Sequence, residues 1–93
     1  MIRSFRNKVT EAVAGGKKLK GFPSDLVRAA QRKLFMLDNA LVLNDLNTPP
    51  GNRLEALKGD RAGQHSIRIN DQFRVCFRWV DGNAEDVEIA DYH

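Results

Sequence analysis

Ninety-three residues hold one modest hydrophobic core and leave no room for a second, so the chain is expected to form a single domain over 1–93. With 42% hydrophobic and 29% charged residues and no apolar run of membrane-spanning length, the composition fits a soluble globular protein and excludes a transmembrane helix. The lone cysteine, Cys76, excludes an internal disulfide framework and a cysteine zinc cluster. MIRSFRNKV lacks the apolar stretch of a secretory leader, so the expected location is the cytoplasm.

The net charge of +3 is unevenly spread. Nine of the fifteen Lys and Arg residues lie between Met1 and Lys33 against two acids, whereas the stretch from Trp79 onward has five acids and no Lys or Arg. Such asymmetry suits a polyanion partner on one side of the molecule, and equally a solvated basic surface.

In chain order, MIRSF offers Ile2 and Phe5 to a short strand. NKVTEAVAGG reads as a short helix with Asn7 as its cap and Gly15-Gly16 as its stop. After the basic connector KKLKGF, PSDLVRAAQRKLFMLDNAL is the strongest helical signal: Ser24 is placed to cap, Asp25 suits the first turn, and Leu26, Ala30, Leu34, Leu37 and Leu41 recur at helical spacing. Arg28, Arg32 and Lys33 fall on its other face. NDLNTPPGN breaks the pattern and predicts a loop.

From Arg53 the period changes to two. RLEALK reads as a strand, GDRAG as a turn, and HSIRI, FRVCFRW and AEDVEIA as three more strands. Odd positions such as Ile67, Val75, Phe77, Val87 and Ile89 are apolar, and even positions such as Arg68, Arg74, Arg78, Asp86 and Glu88 are mostly polar. Residues paired across an antiparallel ladder share a face, so loops of three residues, 70–72 and 81–83, are expected. They set Ile67 opposite Val75, Arg68 opposite Arg74, Phe77 opposite Val87 and Arg78 opposite Asp86. The sheet then has one apolar face for the long helix and one open face bearing arginines. The fold expected is α+β: a short N-terminal strand and two helices packed on one face of a twisted antiparallel sheet.

Like charges directly opposite destabilise a sheet, so Arg68 and Arg74 call for an anion, either a carboxylate such as Asp91 or a ligand phosphate. If that anion is RNA, no metal or cofactor is required, because the 2′-hydroxyl beside the scissile phosphate is an internal nucleophile. Arg74, Arg68 and Lys58 are then available to stabilise phosphate charge, with His93, Tyr92 or Asp91 handling protons. Tyr92 can instead stack on a base. His65 and His93 show no metal-ligand spacing, and there is no phosphate-binding glycine loop or nucleophile elbow. Cys76 reads as a packing residue, His65 and Trp79 as core or rim, and Arg78 as the partner of Asp86.

The combination of LKGDRAG, SIRIN, the FR of the next strand and the terminal DYH resembles the HigB type of toxin in the RelE/ParE superfamily, along essentially the whole chain. The resemblance implies a RelE-like microbial RNase fold. It also implies the toxin of a type II toxin–antitoxin pair, acting as a metal-independent endoribonuclease on mRNA in the ribosomal A site. Carried over by motif, the catalytic positions fall on Lys58, Arg74, Asp91, Tyr92 and His93: Lys58 and Arg74 hold the phosphate, Tyr92 and His93 orient or protonate, and Asp91 positions a neighbour. Arg68, Arg53 and Arg61 are candidate further RNA contacts. Some members carry a histidine three residues before the motif lysine; this chain has Glu55 there, which makes Glu55 a candidate general base. No cofactor is implied. The implied partners are the 70S ribosome with its mRNA and a helix-turn-helix antitoxin of the HigA type, in a toxin–antitoxin hetero-oligomer. Two other readings stand beside this one: a superfamily toxin that binds DNA gyrase without cutting RNA, and a regulatory RNA-binding module.

Overall fold

The computed structural model describes residues 1–17 and 20–91. Two helices, α1 (Lys8–Ala14) and α2 (Ser24–Asn39), precede strands β1 (Glu55–Ala56), β2 (His65–Arg68), β3 (Phe73–Val80) and β4 (Asn83–Asp91). The strands form one antiparallel sheet in the order β1-β2-β3-β4. Among the described residues, no helix is long and apolar enough to cross a membrane.

Asn7 caps α1 as its position predicts, its Oδ1 accepting the Thr10 N–H at 2.8 Å. The Thr10 hydroxyl, fully buried, accepts the Ile89 N–H at 3.0 Å and so satisfies a donor on the outer edge of β4. Further along that edge the expected N-terminal strand is reduced to two isolated parallel bridges, Ile2↔Ala84 and Phe5↔Val87.

The buried stripe of α2 is Leu26, Val27, Ala30, Leu34 and Leu37. Two expectations fail at its ends. Ser24 is the first helical residue, and the cap position is Pro23, with no side-chain bond. Leu41 is 83% exposed because the helix has already stopped: the Asp45 carboxylate accepts the Leu41 and Val42 N–H groups at 2.9 and 3.2 Å and turns the chain away. The following loop is ordered as two 3-10 turns, Leu43–Asn47 and Pro50–Asn52.

Helices and sheet meet over Ile67, Val75, Phe77 and Val87, all fully buried. Burying such side chains stabilises by about 1.5–3 kcal/mol each. Phe77 lies between His65 and Trp79, with ring centroids 6.2 and 6.4 Å away.

The register between β2 and β3 follows the parity, with Ile67↔Val75 and Arg68↔Arg74. Asn70 builds the loop between them, its Oδ1 accepting the N–H groups of Gln72 and Phe73. Between β3 and β4 the expected three-residue loop is instead a two-residue turn, Asp81-Gly82, both at positive φ (51° and 79°), with Val80↔Asn83 paired. The even loop should invert every side chain beyond it. A bulge at Asp86, φ 52°, adds the missing residue, so Arg78 faces Glu85 rather than Asp86, and parity is regained by Cys76↔Glu88, Val75↔Ile89 and Arg74↔Ala90. Arg78 and Asp86 remain within 3.6 Å as an exposed ion pair.

The polar face is less open than the alternation predicts. Ser66 and Cys76 are fully buried there, and Leu57 folds over Cys76 and Ala90 to form a second apolar cluster. The cause is the register: Leu57 has the parity of Glu55, and its N–H continues the β1–β2 ladder to the Gln64 carbonyl at 2.9 Å, so its side chain falls on this face.

Candidate active site

The pairing Glu55↔Ser66 sets the register of β1. Glu55 takes the parity of Ser66 and Arg74, so all three side chains stand on the polar face. Arg74 Nε donates to Ser66 Oγ at 2.7 Å, Nη2 donates to the Arg53 carbonyl at 2.8 Å, and Nη2 lies 3.3 Å from Glu55 Oε1. A guanidinium held from three sides keeps one orientation, and its side chain is only 13% exposed. The like-charge problem of the Arg68↔Arg74 pair is met by two different carboxylates: Arg68 pairs with Asp71, one turn along, and Arg74 with Glu55.

Lys58 is exposed and opens the 3-10 turn Gly59–Arg61. Its neighbour Leu57 packs on Cys76 and Ala90, and Ala90 is the register partner of Arg74. Asp91, opposite Phe73, is exposed and accepts from Gln72 Nε2 at 3.1 Å. Arg74 thus lies at the end of the sheet where β4 finishes, on the face of Glu55 and Ser66, whereas Asp91 shares the parity of Phe73 on the other face. The expectations for Tyr92 and His93 lie outside the described residues.

The three further arginines differ in their settings. Arg53 is exposed at φ 46°, with its carbonyl facing Arg74. Arg68 stands at the β2–β3 turn with Asp71. Arg61 Nη1 donates to Gln64 and, at 2.9 Å, to Glu88, which Arg6 also approaches at 3.9 Å.

Burial pushes the Cys76 thiol above its ordinary range, against the pull of Arg61 and Arg74 and with reinforcement from Glu88 and Glu55, which makes it an inert packing group. Sequence reasoning missed three contributors. Ser66 shares the even parity of Arg74 and was legible in principle from the register. Lys33 and Asn52 were not. Lys33 Nζ donates to Asn52 Oδ1, and the Lys33 amine is pushed down by burial and then by Arg32 and Arg68. Fully buried Asn52 in turn donates from Nδ2 to the Leu46 and Thr48 carbonyls at 3.2 and 3.4 Å.

Residues 3–93 match the family model of HigB-like toxins, described as RelE-like toxins of type II toxin–antitoxin system HigB. Toxin HigB-1 of Vibrio cholerae is 48% identical over 85 residues, covering 90% of each chain. Endoribonuclease HigB of Proteus vulgaris is 31% identical over 93 residues, covering 100% of each. Among solved structures, the YoeB–YefM complex from Staphylococcus aureus superposes with a TM-score of 0.61 at 18% identity, covering 100% of this chain and 98% of that one. At that identity the likeness speaks for the fold alone.

Proposed function

The chain belongs to the HigB family of RelE-like toxins of type II toxin–antitoxin systems, and from that premise we propose that it is an endoribonuclease cutting mRNA on the 70S ribosome, thereby stopping translation and growth. The observation that carries the reading is the fixed guanidinium of Arg74, held by Ser66, Arg53 and Glu55 in the row of the sheet next to the end of β4.

Cleavage proceeds by attack of the 2′-hydroxyl oxygen on the adjacent phosphorus. The hydroxyl proton passes to a base, the bond to the 5′-oxygen breaks, and that oxygen receives a proton from an acid. The products are a 2′,3′-cyclic phosphate and a 5′-hydroxyl, and no metal takes part. Arg74 and Lys58 stabilise the extra negative charge on the phosphate, and preorientation of Arg74 avoids reorganisation when that charge develops. Tyr92 and His93, which follow Asp91 in the chain, orient the RNA and transfer protons, with Asp91 positioning them. Glu55, engaged with Arg74, is the second candidate base. Arg53 and Arg68 extend the phosphate contacts, and Arg61 acts there more weakly because Glu88 already neutralises it. The toxin acts in the cytoplasm and is held inactive by a helix-turn-helix antitoxin of the HigA type in a hetero-oligomer.

Mapping transcript 5′ ends after brief induction tests this. New ends inside translated messages are expected for the wild-type chain, and none for Arg74→Ala or for a chain ending at Asp91. Intact transcripts with DNA-damage signalling overturn it in favour of a gyrase-directed toxin.

A further inference from the structure

Lys33 breaks the pattern of its helix. Its neighbours Arg28 and Arg32 are exposed, but Lys33 lies between the core positions Ala30 and Leu37 and is half-buried with its amine turned inward. Its acceptor, Asn52 Oδ1, belongs to a fully buried side chain on which both ends are used. An ammonium group only donates and a carbonyl only accepts, so this set of partners admits one orientation of the Asn52 amide. With the amide fixed, the turn around it is fixed too: Asn52 N–H bonds the Pro49 carbonyl at 2.9 Å and Arg53 N–H the Pro50 carbonyl at 3.1 Å. Arg53 then adopts φ 46°, a left-handed conformation that a side-chain-bearing residue keeps only when its surroundings impose it. That conformation directs the Arg53 carbonyl onto Arg74 Nη2 at 2.8 Å and leads the chain into Glu55, the other group on the same nitrogen.

We infer that Lys33 and Asn52 are positioning residues for the reaction, holding the Arg53 carbonyl where it orients the Arg74 guanidinium toward the scissile phosphate. The inference rests on the catalytic reading of Arg74 given above. Neither residue touches RNA in this arrangement; each acts through the turn, and misplacing a charge-stabilising group by a fraction of its bond length lowers the rate of the chemical step more than it weakens binding.

The test is a double-mutant cycle on purified toxin with ribosomes programmed by a defined mRNA, read as single-turnover cleavage rate and half-saturating ribosome concentration. Lys33→Met is expected to lower the rate about tenfold with half-saturation unchanged, and to add nothing in the Arg74→Ala background. Lys33→Gln retains a donor for Asn52 and is expected to recover most of the loss; if Lys33→Met is not folded at the assay temperature by circular dichroism, Lys33→Leu, equally unable to donate, takes its place in the cycle. If Arg74→Ala impairs cleavage but the losses multiply in the double variant, or if Lys33→Met raises half-saturation instead of lowering the rate, Lys33 is an independent RNA contact and this inference alone is overturned. An Arg74→Ala toxin that cleaves normally overturns the catalytic reading, and the positioning role with it.

Discussion

Glu55 Oε1 lies 3.3 Å from Arg74 Nη2, joining a two-residue edge strand to a central strand of the sheet. A phosphate approaching Arg74 therefore meets a carboxylate already in place. Glu55→Gln removes the competing charge while keeping the shape, and should tighten RNA binding by about two- to fivefold, the equivalent of a partly exposed ion pair. Fluorescence anisotropy with a labelled RNA measures it. A single-turnover cleavage rate that falls a hundredfold in the same variant, with a flattened acid limb of the pH profile, assigns Glu55 to proton transfer instead.

Cys76 links stability to alkaline pH. Its folded pKa lies above the ordinary 9.0, so below pH 9 both folded and unfolded states keep the proton, and above it the unfolded state loses the proton first. Stability therefore declines as pH rises through the folded value. Lys33 acts in the opposite sense between its lowered pKa and 10.5, because there the unfolded state binds the extra proton. Urea unfolding of Cys76→Ala against wild type should show a shallower alkaline decline in the variant. Thiol reagents should label Cys76 only on unfolding.

At Asp86 the backbone is left-handed, and the exposed pair with Arg78 contributes little. Asp86→Val forces a β-branched residue into that conformation and should cost about 1–3 kcal/mol in urea unfolding, whereas Asp86→Gly loses the same ion pair without the strain and should cost less than about 1 kcal/mol. Equal losses for the two would mean that the ion pair, not the backbone conformation, dominates.

Asn7→Ala should cost about 0.5–2 kcal/mol, read as a lower melting temperature. Hydrogen exchange at Ile89 gives the more specific signal: its N–H is held by Thr10 in the first turn of the same helix, so fraying there should speed its exchange more than that of Val75 in the sheet interior.

The α2 stripe, the Asn7 cap and the β2–β3 register were legible because each is written in a local period or a single short-range hydrogen bond. Leu41 misled for the same reason: it continues the helical spacing, but Asp45, four residues on, captures its amide. At the candidate site, Arg74 and Lys58 stood out by motif and charge, while Ser66 and Asn52 are small polar residues whose importance comes only from what they touch.

Two faces of a sheet, one long amphipathic helix and an arginine pair that demands an anion are written in the order of residues, since hydrophobic periods of 3.6 and 2 survive in any register. Which local solution is used depends on contacts that exist only in the folded chain. A three-residue loop, or a two-residue turn followed by a bulge, leaves Ile89 on the same face; the second occurs here, where Ser4 Oγ accepts the Asp86 N–H at 2.9 Å from 82 residues away in the chain. Likewise Glu55 reaches Arg74 because Ser66, not a neighbour in sequence, is its ladder partner, and Lys33 turns inward because Asn52 waits across the loop. Alternatives that are nearly equal locally are separated by partners far along the chain, and those partners appear only once the chain has folded.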